Sequence, residues 1–281
     1  MDYLGSYRFV FNSRNWAMNL LFVALCSLIP AIGPIVLMGY FFEVIDNLVR
    51  RRQRHTETMD HSSDAITAEP LDALPAHSVA DSESYPDFTF DRFMEYLTRG
   101  VWPFLVRLIV NLVLGAIFGL FWVVGMGVGA AASAGNSSVL PLIFFAVFFV
   151  FYLVLAAALA VLTLPLYLRA GLSSDFASAF SMDFYRDFLK RVGKEVVLAE
   201  LFLVVSSSLV SALGLMLCCI GVYPAIALTM FASHHLDYQL YELYLERGGE
   251  PIERKESRAG TRREVEEERS TDIRPPERDE W

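Results

Sequence analysis

Cysteine is scarce, with three in 281 residues, and Cys26, Cys218 and Cys219 all lie in apolar stretches. That excludes the disulfide framework of small secreted domains. All three read as small apolar packing residues. Also missing are a nucleophile elbow, a phosphate-cradling glycine loop and a carboxylate dyad. His55, His61 and His77 have no metal-ligand spacing. His234 and His235 would point about 100° apart on a helix and suit a helix end near Asp237 better than a metal site. No cofactor, metal or catalytic residue is expected, and the chain reads as a non-enzyme. The most informative absence concerns charge. Three short turns, Ser27–Pro34, Ala131–Ser138 and Cys218–Pro224, contain no Lys, Arg, Asp or Glu.

What is present is apolar sequence in long runs. The chain is 54% hydrophobic with mean hydropathy +0.41, although roughly a third of it is strongly polar. A soluble domain is about 45–50% apolar. The apolar residues concentrate in Trp16–Val49, Val101–Ala132, Val139–Leu168 and Val196–Ala232. About 20 residues cross the hydrocarbon of a bilayer as a helix, so the second and third runs suit single spans. The first and fourth are longer and interrupted. Pro30, Gly33 and Pro34 break the first, and Gly221 and Pro224 break the fourth, because Pro removes a donor and clashes with the preceding turn. The prediction is an all-α, polytopic integral membrane protein of about six transmembrane or re-entrant helices in three hairpins. No small-residue cleavage site follows the first run, which reads as a retained span.

Lys and Arg set orientation. Arg8 and Arg14 precede the first hairpin, Arg50, Arg51, Arg52 and Arg54 follow it, and Arg92 and Arg99 precede the second. Arg169, Arg186, Lys190, Arg191 and Lys194 separate the second from the third, and the tail carries the rest apart from Arg107. This alternation places both termini in the cytoplasm and the protein in the cytoplasmic (inner) membrane. The net charge of −9, with bases interleaved among more acids, excludes a nucleic-acid surface.

The expected organisation is a cytoplasmic interfacial segment at 1–15 and a broken hairpin at 16–49. A cytoplasmic linker at 50–86 is predicted to be disordered, since its polar composition cannot offset chain entropy. Interfacial helix plus hairpin then occurs at 87–168 and again at 169–246, before a charged tail at 247–281, also predicted disordered. Asp91–Gly100 matches Asp183–Gly193 with one inserted residue, and Tyr7–Arg14 is a weaker third copy. The predicted unit is an amphipathic interfacial helix leading into a hairpin.

Three sets of residues stand out. Phe176, Phe180, Phe184 and Phe188 recur every fourth position, with Arg186, Lys190 and Arg191 nearby. That pattern predicts an interfacial anchor with rings toward acyl chains and bases toward anionic headgroups. Arg107 and Glu200 occupy equivalent repeat positions inside apolar runs; they either sit at the interface and snorkel or form an intramembrane ion pair. The broken turns read as ordinary tight turns outside the membrane, with a transporter's ion-binding helix ends as the alternative.

The run Leu28-Ile29-Pro30-Ala31-Ile32-Gly33-Pro34 through Gly39-Tyr40, followed after the linker by Tyr85-Pro86-Asp87-Phe88, resembles a family of prokaryotic membrane proteins known as domain of unknown function 4013. The resemblance spans about Tyr3 to Tyr244 without the linker. It implies a polytopic membrane architecture and brings no catalytic residues. The expected function is that of a non-enzymatic membrane scaffold that organises partners, because buried polar groups are few in the apolar runs. The expected partners are the lipid bilayer, anionic headgroups and a protein bound through the cytoplasmic linker or tail. The alternative is a small-solute or ion transporter using the broken hairpins.

Overall fold

Two prolines and a glycine end the first apolar helix where the sequence places them. In the computed structural model, which describes residues 1–63, 85–134, 139–216 and 221–253, helix α1 is Tyr3–Arg8, α2 is Trp16–Ser27 and α3 is Ile32–Ser63. The N–H groups of Leu28 and Ile29 turn back to the carbonyls of Leu25 and Cys26 at 3.1 Å. Ala31 takes a left-handed φ of 65°. A Cβ on Gly33 would lie 1.9 Å from the Cys26 carbonyl oxygen, so only glycine lets α3 leave this turn. Pro34 falls in the first turn of α3, where a missing N–H costs nothing.

The remaining helices are α4 (Phe93–Ala134), α5 (Val139–Ser173), the single turn α6 (Phe176–Ala179), α7 (Met182–Met216) and α8 (Val222–Glu246). Among the described residues there is no strand, and the elements pair as three hairpins, α2–α3, α4–α5 and α7–α8. Four helices, α3, α4, α5 and α7, are long and apolar enough to cross a membrane. Of the six expected transmembrane or re-entrant segments, these four have the length and composition of a full crossing among the described residues. At 12 residues, α2 reaches only about 18 Å, short of a hydrocarbon core of about 30 Å. α8, interrupted by polar residues, is also outside the four.

The helices expected to lead into the second and third hairpins are continuous with the long helices that follow them. Asp87–Thr89 has no regular secondary structure, with Thr89 extended, Phe90–Arg92 is a 3-10 turn, and α4 then runs unbroken for 42 residues. α7 likewise starts at Met182 and continues into the apolar stretch. The linker boundaries also shift. α3 continues to Ser63, and Tyr85 is buried, its hydroxyl donating to the Val10 carbonyl at 2.7 Å. Residues 64–84 and 254–281 of the linker and tail, with Cys218 and Cys219, lie outside the described residues.

The core is arranged around α3. Its apolar window is 78% buried, against 6% for α4, 6% for α5 and 11% for α7. One face of α3 (Met38, Phe42, Ile45) packs with Leu164 and Leu168 of α5, Phe188 of α7 and Tyr241 of α8. The other (Leu37, Tyr40, Phe41, Val44) packs with Phe9, Val23, Phe88, Tyr96 and Phe231. The α4–α5 hairpin projects from this body. Leu112, Val123, Leu142 and Val147 are each more than 60% exposed, the surface expected of helices bathed in lipid.

Candidate functional site

The first buried polar region joins α3 to α4. Backbones approach where a Cβ on Gly39 would lie 1.8 Å from the Tyr96 carbonyl oxygen, and one on Gly100 would lie 1.8 Å from that of Ile35. Small residues permit such approach, and polar groups can then bridge the helices. Glu43 and Asp46, at 8% and 6% exposure, supply the acids. Arg92 embraces Glu43 with both terminal nitrogens, one of them at 2.7 Å, and its Nε donates to Glu95 at 2.8 Å. Asp46 lies 3.4 Å from Arg99 and 3.3 Å from Arg50. Tyr96 Oη and Arg99 Nε are buried with no hydrogen-bond partner among the described residues.

The second region is built by five helices. His234 of α8 is buried mid-helix and not at a helix terminus as expected. The Met230 carbonyl can only accept, so His234 Nδ1 carries the hydrogen and donates at 2.7 Å. Nε2 is then the acceptor for the Tyr167 hydroxyl of α5, also at 2.7 Å. The Phe41 ring stacks on the imidazole at a centroid distance of 4.2 Å. One helical turn on, Asp237 is 6% exposed and has neither a hydrogen bond nor an ion pair among the described residues. An unpartnered carboxylate in such surroundings is costly as an anion. Arg107 of α4 and Glu200 of α7 both lie within electrostatic range of it.

Arg107 and Glu200 are thus brought into one neighbourhood, but no ion pair within 4.0 Å joins them among the described residues. The Arg107 guanidinium instead lies over Tyr167, 6.0 Å from the ring centroid, at the edge of cation–π range. The pair that sequence position suggested is therefore part of a five-residue cluster. Its other members, Tyr167, His234 and Asp237, come from separate runs. His234 and Asp237 share a face by i, i+3 spacing, the one local signal that marked them.

The aromatic set divides differently from its spacing. Phe176 lies in α6, Phe180 caps that turn and is 45% exposed, and the chain breaks at Ser181 before α7. Phe184 and Phe188 do not face acyl chains; both are buried against Tyr244 at ring distances of 5.5 and 5.1 Å. Four-residue periodicity identified a buried face and could not say what covers it. Arg186 and Lys190 are exposed, while Arg191 binds Asp187 at 2.8 Å. At the other turn, the Gly221 carbonyl accepts from Ala225 N–H at 3.1 Å, and Pro224 stands in the first turn of α8. Pro30 is exposed in the α2–α3 turn.

A third polar knot lies at the entry to α4. Asp87 accepts from Asn15 at 2.6 Å, Asn19 at 2.9 Å and Ser13 at 3.1 Å. Partial burial opposes its charge, but these three hydrogen bonds outweigh it and hold the carboxyl below its ordinary range. The bonds fasten the chain re-entering at Tyr85 onto α2. Among the described residues no group of three or more His, Cys, Asp or Glu is placed to hold a metal.

Comparison with known proteins adds one family. A profile described as "Protein of unknown function (DUF4013)" matches residues 75–219. The match takes in the Tyr85-Pro86-Asp87-Phe88 motif, α4, α5 and the whole of α7, and begins after the Pro30–Pro34 turn. No curated protein and no solved structure matches this chain. With more than half of its 281 residues matched, the chain belongs to the DUF4013 family of proteins of unknown function.

Proposed function

We propose that this protein is a non-enzymatic membrane scaffold, its α4–α5 hairpin held in the bilayer by the packed body and presented to partners there. The observation that carries this reading is the hairpin itself. Its two helices pack Phe118, Phe121, Trp122, Phe148 and Tyr152 against one another's rings, while its outer surface is exposed among the described residues. An apolar hairpin tied to a body by Gly39, Gly100 and the Arg92–Glu43 pair suits lateral association. The cytoplasmic membrane, with both termini inside, is the proposed location from the Lys and Arg distribution. Arg186 and Lys190 face outward to anionic headgroups in this reading. The test is extraction of the full-length protein in polymer discs with mass identification of what accompanies it. A stoichiometric protein partner that is lost on Val123→Trp supports the scaffold; a chain that emerges alone sinks it.

A second reading, transport of protons or a small cation, rests on Asp237. Ionisable groups inside helical bundles commonly mark ion pathways, and Asp237 is buried without a partner beside Glu200 and Arg107. Proteoliposomes loaded with a pH-sensitive dye decide it. Flux abolished by Asp237→Asn supports transport, and absence of flux in the wild-type protein removes it.

A further inference from the structure

At the base of the α4–α5 hairpin, a cavity of about 420 Å³ opens between Trp102, Arg169, Ser173, Asp175, Ser178 and Glu253. Its walls differ in character. Arg169 supplies a cation whose guanidinium lies 4.9 Å over the Phe184 ring and which has no carboxylate partner within 4.0 Å among the described residues. The acceptors are serine and carboxylate oxygens. Ser173 Oγ lies 2.7 Å from the Arg169 carbonyl, Ser178 Oγ lies 3.0 Å from the Asp175 carbonyl, and the two hydroxyls are 2.6 Å apart. One serine therefore donates to the other, which donates to its carbonyl, so both hydrogens are committed within the protein and lone pairs remain for a ligand. One Asp175 oxygen accepts from Ala177 N–H at 3.1 Å; its other oxygen and Glu253 complete an acceptor wall.

The cavity's depth is fixed by its neighbours. The closely spaced exposed apolar residues of the hairpin begin at Leu108 on α4 and end at Leu162 on α5, with Met94 and Trp102 exposed singly before them. Trp102 and Arg169 lie six and seven residues beyond those points, about 9–10 Å along each helix. That offset corresponds to the headgroup layer flanking the hydrocarbon, and Trp102, 36% exposed, is a residue type favoured there.

We infer that this cavity binds the headgroup of a zwitterionic phospholipid bearing a primary ammonium, with its phosphodiester on Arg169 and its ammonium on Asp175, Glu253 and the serine oxygens. The two carboxylates disfavour a purely anionic headgroup, and Arg169 disfavours a lone cation. A trimethylated ammonium would fill the space and leave the acceptors unsatisfied. The site does not depend on whether the protein scaffolds or transports.

The experiment is native mass spectrometry of the full-length protein equilibrated with equal amounts of phosphatidylethanolamine, phosphatidylcholine and phosphatidylglycerol of identical chains. Phosphatidylethanolamine should be retained about tenfold over phosphatidylcholine, the equivalent of one charge-assisted hydrogen bond at about 1.4 kcal/mol. Arg169→Gln should abolish retention while Arg169→Lys keeps part of it, and Glu253→Gln, on an exposed side chain, should narrow the preference without affecting folding. Equal retention of the three lipids, preference for phosphatidylglycerol, or indifference to Arg169→Gln in a folded variant overturns the assignment. Glycerophosphoethanolamine binding from solution as tightly as the diacyl lipid would give the cavity to a water-borne zwitterion and also overturn it.

Discussion

Helix α3 and the α4–α5 hairpin are both apolar runs of spanning length, yet they are built for different solvents. The apolar window of α3 is 78% buried in protein, and those of α4 and α5 are 6% buried. α3 carries Glu43 and Asp46 near its middle and has the lowest hydropathy of the four candidate spans, 1.5 against 2.4 and 2.9 for the hairpin helices. A helix wrapped by other helices can hold charges, because neighbours such as Arg92 and Arg99 supply counter-ions. A helix bathed in lipid has none to offer. Arg107, the one charge within the apolar run of α4, stands where the hairpin meets the body.

This contrast can be broken most severely at Asp46. Asp46→Ala leaves Arg99, whose side chain is 15% exposed, without its counter-ion, and should destabilise the protein by about 3 kcal/mol or more in denaturation followed by helicity. Next comes the helix contact. Gly39→Ala forces a methyl against the Tyr96 carbonyl and should cost about 1–3 kcal/mol. Gly119→Ala on the exposed side of α4, where a Cβ meets nothing within 4 Å, should change stability by less than about 0.5 kcal/mol. Equal effects at the two glycines would erase the distinction between body and hairpin. Arg107→Glu combined with Glu200→Arg should show a coupling below about 0.5 kcal/mol, as expected for charges that share a neighbourhood without a direct pair. Strong rescue by the double variant would restore the simple ion pair.

A pH-dependent effect is expected at Asp87. Its carboxyl is held below the ordinary value of 3.8, so its contribution is present above that unfolded-state value and is lost as pH falls through the lower folded-state one. Asp87→Asn should remove this acid-side loss, which at such exposure is less than about 1 kcal/mol. Thermal unfolding between pH 5 and pH 2 compares the two proteins, and identical pH slopes would refute the role of the Asn15–Asn19–Ser13 cradle.

Much of the scaffold was legible from residues alone. Pro30, Gly33 and Pro34 announced a helix break, and the break is there with Gly33 pressed on the Cys26 carbonyl. The Asp91–Gly100 and Asp183–Gly193 segments do lead into helices of two different hairpins, but the matched glycines are not equivalent. Gly100 is wedged against Ile35, while a Cβ on Gly193 would meet only Leu189, at 4.0 Å. Less legible were the polar clusters. The expectation that buried polar groups would be few in the apolar runs fails at Asn19, Glu43 and Asp46, and His234 and Asp237 are buried just beyond the fourth run. Each stands on a helix whose own sequence gives no sign of the partner facing it.

The sequence by itself determined where helices start and stop and which stretches shun water, because proline, glycine and hydropathy act within a few residues. Only the tertiary structure decided what each apolar face touches, since Tyr167, Glu200 and Asp237 meet across separations no periodicity encodes. It also decided that α3 lies in protein while α4 and α5 face outward. An apolar surface gains similarly from lipid or from another helix, so burial becomes readable only when the neighbours are in place.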